Sequence, residues 1–265
     1  ADAMAGYVRL SNLFLDNDAD FFLDELMFTS QVGDTHDLLL QSDLINASIT
    51  GDYKFASLFE SCRQAFFRYF PVLNDVRLPQ PTRQESGNAL RFRMAVGATE
   101  GLMAALDIPW FTTDTLLLEG LYDDMTDTIA VSVATPHLKN RANGNFCNLG
   151  VDIDNADARL NCRLRGQSIT RKNDTISCFV ALAGWNDSLT ANLQWHNVRS
   201  ELTHAGEVLL RSHLSRRDER LQADIHLLPT QIVLQNTPFD LHAADIHTDF
   251  QQVVVDQLNI ESDRQ

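Results

Sequence analysis

Strict alternation of apolar and polar residues runs through the second half of this 265-residue chain, and it restricts the fold more than any other feature. Ile176, Cys178, Val180 and Leu182 alternate with Ser177, Phe179, Ala181 and Ala183. Leu189, Ala191, Leu193 and Trp195 interleave with Thr190, Asn192 and Gln194, and Leu221, Ala223, Ile225 and Leu227 with Gln222, Asp224 and His226. Ile232 with Leu234, Phe239 with Leu241, and Val253 with Val255 continue the pattern. A period of two places successive side chains on opposite faces of a strand. The separators are turn-forming: Lys172-Asn173-Asp174, Gly184-Trp185-Asn186-Asp187, His204-Ala205-Gly206 and Gln235-Asn236-Thr237-Pro238. Strands with short turns and no helical pattern between them form an antiparallel meander.

The first half is less regular. Strand-like segments cover about 7–15, 21–28 and 38–49, and shorter ones lie at Leu116–Leu118, Ile129–Val133, Leu149–Ile153 and Leu160–Leu164. One amphipathic helix is expected from Ala56 to Phe70, with Leu58, Phe59, Cys62, Phe66, Phe67 and Phe70 at helical spacing. Pro71 ends it. We expect Leu58, Phe59, Cys62, Phe66 and Phe70 to cap or pack against the sheet. Asn74–Asn88, with Pro79, Pro81 and Gly87, reads as a linker, and a weaker helix covers Thr99–Leu106. The chain thus divides into a β segment (1–53), a helical insertion with linker (54–88) and an antiparallel β segment of the same elongated domain (89–265). The expected class is mainly β.

Half-polar strands imply one wet face and one dry face. No helix is expected in the last 150 or so residues to cover the dry one. The sheet must therefore fold on itself, pair with a second sheet, or hold something apolar. The residues that would line an apolar groove are Ile176, Cys178, Val180, Leu182, Leu189, Leu193, Trp195, Leu221, Ile225, Leu227, Ile232 and Leu234.

Charge and motif content narrow the function classes. With 36 acidic and 21 basic side chains the net charge is −15, which opposes the phosphate contacts that drive nucleic-acid binding. No apolar run reaches the roughly 18 residues of a membrane span. The start lacks a signal-peptide pattern and an initiator Met, so the chain reads as an internal piece of a longer protein. Cys62, Cys147, Cys162 and Cys178 form no C-x-x-C pair, and the eight histidines form no zinc motif. His226 belongs to a polar face and should meet water. The runs from Asp16 and Asp152 resemble calcium loops, but Phe21 and Asp157 stand where a loop glycine is required, and Met27 and Arg163 where a glutamate is. Asp123-Asp124 is a carboxylate pair in a turn. No catalytic set, metal site or cofactor fingerprint is recognised, and the expectation is a non-enzyme without cofactor.

The carboxyl-terminal stretch Leu228-Pro229-Thr230-Gln231-Ile232-Val233-Leu234, continuing through Phe239-Asp240-Leu241 to Val253-Val254-Val255 and Gln265, resembles the TamB family of translocation and assembly modules, particularly its Bacteroidetes members. Thr50-Gly51-Asp52-Tyr53 before the helix, with Phe70-Pro71 after it, is similar to a family element, as are Asn173-Asp174-Thr175-Ile176 and Leu193-Gln194-Trp195. Pro238-Phe239 departs from the family's pattern, in which a Trp-like position is expected. The resemblance covers about 50–265. It implies an AsmA-like, β-taco fold in which an elongated antiparallel sheet folds over into an apolar groove. It also implies an inner-membrane anchor outside this piece and a periplasmic location. The implied partners are phospholipid acyl chains and a TamA- or BamA-like outer-membrane β-barrel assembly protein. The implied roles are lipid transport and outer-membrane protein biogenesis. Two rivals remain on the residues alone. One is a β-sandwich binding or adhesion module, for which Trp185 and Trp195 are the aromatics of interest. The other is a scaffold that takes up unfolded outer-membrane polypeptide by β-augmentation.

Overall fold

The computed structural model describes residues 5–15, 20–74, 87–142, 144–169, 174–197, 201–217 and 220–262. Of the expected features, the 75–86 part of the linker, most of the Asp16 run and the Lys172-Asn173 part of one separator lie outside them. The chain is mainly β, 67% strand and 10% helix. It divides into two compact units, Ala1–Cys62 with Gln84–Ile153, and Arg63–Arg83 with Asp154–Gln265. The expected 89–265 segment is shared between both units.

The first unit contains β1 (Gly6–Leu15), β2 (Phe21–Val32), β3 (His36–Ser42), β4 (Ile45–Asp52), β5 (Ala89–Val96), β6 (Trp110–Thr112), β7 (Leu116–Asp123), β8 (Thr128–Asn140) and nearly all of β9 (Asn145–Asp154). The helices are α1 (Phe55–Phe67), which crosses the division at Cys62, and α2 (Glu100–Ala105) in the first unit. Strands β1 to β5 pair antiparallel in chain order, β5 pairs with β7, and β8 pairs with β6 and β7. The segment 38–49 is two strands rather than one. The Ser42 hydroxyl accepts from the backbone N–H of Ile45 (2.8 Å) and closes the turn.

In the second unit, β10 (Leu160–Ile169), β11 (Thr175–Trp185), β12 (Ser188–Asn197) and β13 (His204–Arg217) form a meander. Beyond it lie β14 (Arg220–Leu227), β15 (Thr230–Leu234), β16 (Thr237–Leu241), β17 (Ala244–Thr248), β18 (Val253–Asp256) and β19 (Ile260–Glu261). Two hairpins close through paired left-handed residues, Asn186-Asp187 and Gln235-Asn236. That geometry matches the strand twist and suits Asn and Asp. The separator His204-Ala205-Gly206 is not a turn. It begins β13, the longest strand, where the wide ring of Trp195 needs a glycine beneath it. A Cβ at Gly206 would stand 2.4 Å from Trp195 Cζ2.

Of the face expected to pack, Phe70 is buried, but helix α1 itself buries a different stripe. Ser61 (8% exposed) and Ala65 (0%) face inward, with Tyr69 and Phe70 following them, whereas Phe59 is 79% and Phe66 41% exposed and Cys62 is exposed. The cause is Asn88, which is fully buried. Its Nδ2 donates to Ser61 Oγ (2.9 Å) and Ser57 Oγ (3.2 Å), and its Oδ1 accepts from Lys54 N (2.8 Å). A buried amide must have its bonds made, so the polar, small-residue stripe turns in and the aromatic stripe turns out. Helix α2 matches the expected second helix, and Ala105 is buried in it.

Candidate functional site

Cross-strand register assigns every side chain to a face, because directly paired residues project to the same side. In the second unit one row reads Leu164, Val180, Leu193, Val208, and the next Cys162, Leu182, Ala191, Leu210, Leu227. A third reads Gly166, Cys178, Trp195, Gly206, Ile232, Phe239. All twelve expected groove residues lie on this face. Cys178, Val180, Leu182, Leu193, Trp195, Leu227 and Ile232 sit in its apolar rows, and Ile225 pairs with Ile246. The other four stand at its margins. Ile176 lies between Ser168 and Asn197, Leu189 between Gly184 and Ser212, Leu221 beside Arg216, and Leu234 beside His204 and Thr237.

Ile225 and Leu227 are odd-numbered and Ile232 and Leu234 even, so an unbroken strand would put them on opposite faces. Leu228-Pro229 reconciles them. Four residues separate Gly206 from Leu210 on β13, while five separate their partners Ile232 and Leu227. The extra residue is a bulge. His242-Ala243 lies opposite it, since Leu227 pairs with Ala244 and Thr230 with Leu241. The same step recurs between Asp256 and Ile260, with Gln257 in left-handed backbone. Three neighbouring strands break in line, and the apolar face stays in phase across the break.

What covers this face is slight. Across β10 to β13 only Gly184 is buried, and the remaining residues are half-buried or exposed. Gly184 lies under the Phe70 ring, whose Cζ stands 2.2 Å from where a Cβ would be. The Phe70-Pro71 corner is fastened there through Asp187. Its N–H donates to the Tyr69 carbonyl (3.0 Å), and its carboxylate accepts from Val72 N–H (2.8 Å). Burial pushes the Cys178 thiol up, so it stays neutral and acts as one more apolar group. All four cysteines are free.

The first unit carries a comparable face that the sequence reading did not single out. One row reads Ser30, Leu38, Ile49, Phe92, Gly120, Val131, and another Phe28, Leu40, Ala47, Met94, Leu118, Val133. The opposite side includes Asp37, Ser48, Arg91, Arg93, Glu119 and Ser132. The signal was present as alternation, Leu38 with Leu40 and Phe92 with Met94, but it was spread over short strands separated by helices. The missed residues of the second unit, Val208 and Leu210, lie on β13 just beyond His204-Ala205-Gly206, which reads as a turn in the sequence.

The opposite face of the second unit is polar. A shallow depression of about 460 Å³ lies there, lined among others by Arg163, Ala181, Ala183, Thr190, Asn192 and Arg211. Arg163 is bound to Asp154, and Asn192 donates to Glu207 (2.8 Å). Hydrogen bonds from Gln194 and Asn192 hold the Glu207 carboxyl below its usual range. Of the two tryptophans, Trp195 lies on the apolar face and Trp185 is stacked by the Arg159 guanidinium at 4.5 Å. Asp123 accepts from the N–H groups of Met125 (2.9 Å) and Thr126 (3.2 Å), a turn role whose bonds, those of Thr126 foremost, keep it ionised. Asp154, in the second aspartate run, accepts from Ala156 N–H and Asn161. His226 lies on the polar side, as expected, with its side chain 45% exposed. No helix among the described residues is long and apolar enough to cross a membrane.

Comparison with known protein families, with curated proteins and with solved structures finds no match for this chain.

Proposed function

We propose that this chain is a non-catalytic lipid-shielding segment, in which the apolar face of β10 to β15, and that of the first unit away from its Asn88 end, lies against acyl chains while head groups stay in water. The observation that carries the reading is the phase-kept row structure of β10 to β15, apolar from Leu164 to Phe239 and with no buried residue but Gly184 in the first four strands. An apolar surface left half-covered over four successive strands, with Leu193 exposed, marks a binding surface. Each methylene laid on it gains about 0.8 kcal/mol without a polar contact. The resemblance to TamB-type proteins supports the same reading. It supplies the setting we propose: a periplasmic segment of an inner-membrane-anchored protein, acting in phospholipid transport or outer-membrane assembly with a β-barrel partner.

Organic extraction of the purified protein followed by mass spectrometry tests this, with Leu193→Asp prepared in parallel. Leu193 is 39% exposed, so the carboxylate disturbs the face more than the fold. Stoichiometric phospholipid in the parent and its loss in the folded variant is the expected result. Lipid-free parent protein rejects the reading. A second reading has its own support at β1, which pairs only with β2 among the described residues and is exposed along its length, including Tyr7 (76%) and Phe14 (59%). Such an edge can take up an extended polypeptide strand, and lipid-free protein that binds an extended outer-membrane peptide would favour it.

A further inference from the structure

From Leu221 to Ser262 the sequence contains no Lys or Arg, six carboxylates and three histidines. The fold pairs each of those histidines with a carboxylate on a neighbouring strand or connection. His226 Nδ1 lies 2.7 Å from Asp245 Oδ1, joining β14 to β17. His247 Nδ1 lies 2.6 Å from Asp224 Oδ1 across the same two strands, and its Nε2 is 3.7 Å from Asp256 on β18. His242, beside the line of breaks, has its Nε2 3.5 Å from Glu261 on β19. Asp224 with His247 and His226 with Asp245 form a checkerboard of four residues on the polar face.

We propose that the outer strands β17 to β19 are a pH-responsive edge, held to β14 and β16 by histidine–carboxylate pairs and loosened as the histidines lose their protons. Histidine is the side chain whose ordinary charge change falls between pH 5 and 8, and within these strands no permanent cation replaces it. The groups facing the checkerboard from β13 are His213, paired with Asp224, and Arg211, paired with His226. From β18 comes Asp256, opposite Asp245. Arg220, at the start of β14, reaches Asp249 at 3.9 Å. Above neutral pH Asp224, Asp245 and Asp256 therefore face one another, with Arg211 opposite His226 as the fixed cation on the adjoining strand, and their mutual repulsion acts on the strands the pairs had joined. The hydrogen bond that His247 donates to Asp224, followed by the charges of Asp224, Asp256 and Asp245, raises the His247 pKa. A raised histidine pKa gives stabilisation that is complete below the unfolded-state value. It is lost as pH rises through the folded-state value.

Amide hydrogen exchange, expressed as protection factors, measures this directly in chelator-treated buffer at pH 5.5 and 8.5. Protection across β17 and β18 should fall roughly five-fold, the scale of a few exposed ion pairs, while β11 and β12 keep theirs. His226→Gln combined with His247→Gln should sit at the high-pH level at both values. Asp224→Asn with Asp245→Asn provides the same test should the histidine variant lose the β11 protection that reports folding. Equal β17 protection at the two pH values overturns the proposal, as does a pH response that survives in the folded variants or a loss shared by β11.

Discussion

The end of the first unit around Asn88 and the open strands β10 to β13 obey the same alternation and reach opposite results. At the first, Leu38 is 7%, Tyr53 5%, Leu90 9% and Tyr122 7% exposed, and the Tyr53 ring stacks on His36 at 4.9 Å between centroids. At the second, residues just as apolar, such as Val180 and Leu193, stay half-buried or exposed. The difference lies in what the chain brings over the strands. Near Asn88 the run from β4 into α1 is tied down by three side-chain hydrogen bonds. Over β10 to β13 the main cover is the Phe70 corner on Gly184. Alternation specifies a dry face but does not specify its cover.

The comparison breaks most sharply at Asn88. Asn88→Leu takes the acceptor from Lys54 N–H and the amide donor from Ser57 and Ser61, whose hydroxyls keep their backbone acceptors, and about 3–5 kcal/mol should be lost from the first unit in urea titration. An unchanged midpoint would mean that α1 is not fastened there. Paired truncations sharpen the contrast. Leu38→Ala should cost about 2–4 kcal/mol through its cavity, whereas Leu193→Ala should cost less than about 1 kcal/mol, as for a surface position. Equal costs would show that the open face is covered in solution. Gly206→Val should displace Trp195 and cost about 1–3 kcal/mol, with a shift in tryptophan emission as the signature. The smallest effect is alkaline. Burial, then the charge of Asp37, pushes the Tyr53 phenol up to about 12. The raised value gives stability that is complete below pH 10 and lost as pH approaches 12. Phenol absorbance should show a late-titrating component that is lost in Tyr53→Phe.

Much of the architecture was legible because alternation is local. Ile176 to Leu182 and Leu189 to Trp195 reveal their strands and their shared face without knowledge of any partner. What escaped depends on partners distant in sequence. Gly206 looked like a turn residue because Trp195, eleven positions earlier, is what requires it. The helix stripe was misjudged because Asn88, far along the chain, decides which side turns in. The bulge at Leu228-Pro229 leaves no local mark either, because it shows only in the register of β14 and β15 against β13.

That line of breaks bears on how such a chain can change over generations. Losing one residue at Leu228-Pro229 would straighten β14 and β15 against β13 but throw them out of step with β16 and β17. A matching loss at His242-Ala243 would move the mismatch one strand further, to the stretch between Asp256 and Ile260. A single insertion or deletion here should therefore cost pairing on one side, and only a coordinated set of three should keep every strand in step. Relatives of this chain should carry the step in all three strands or in none.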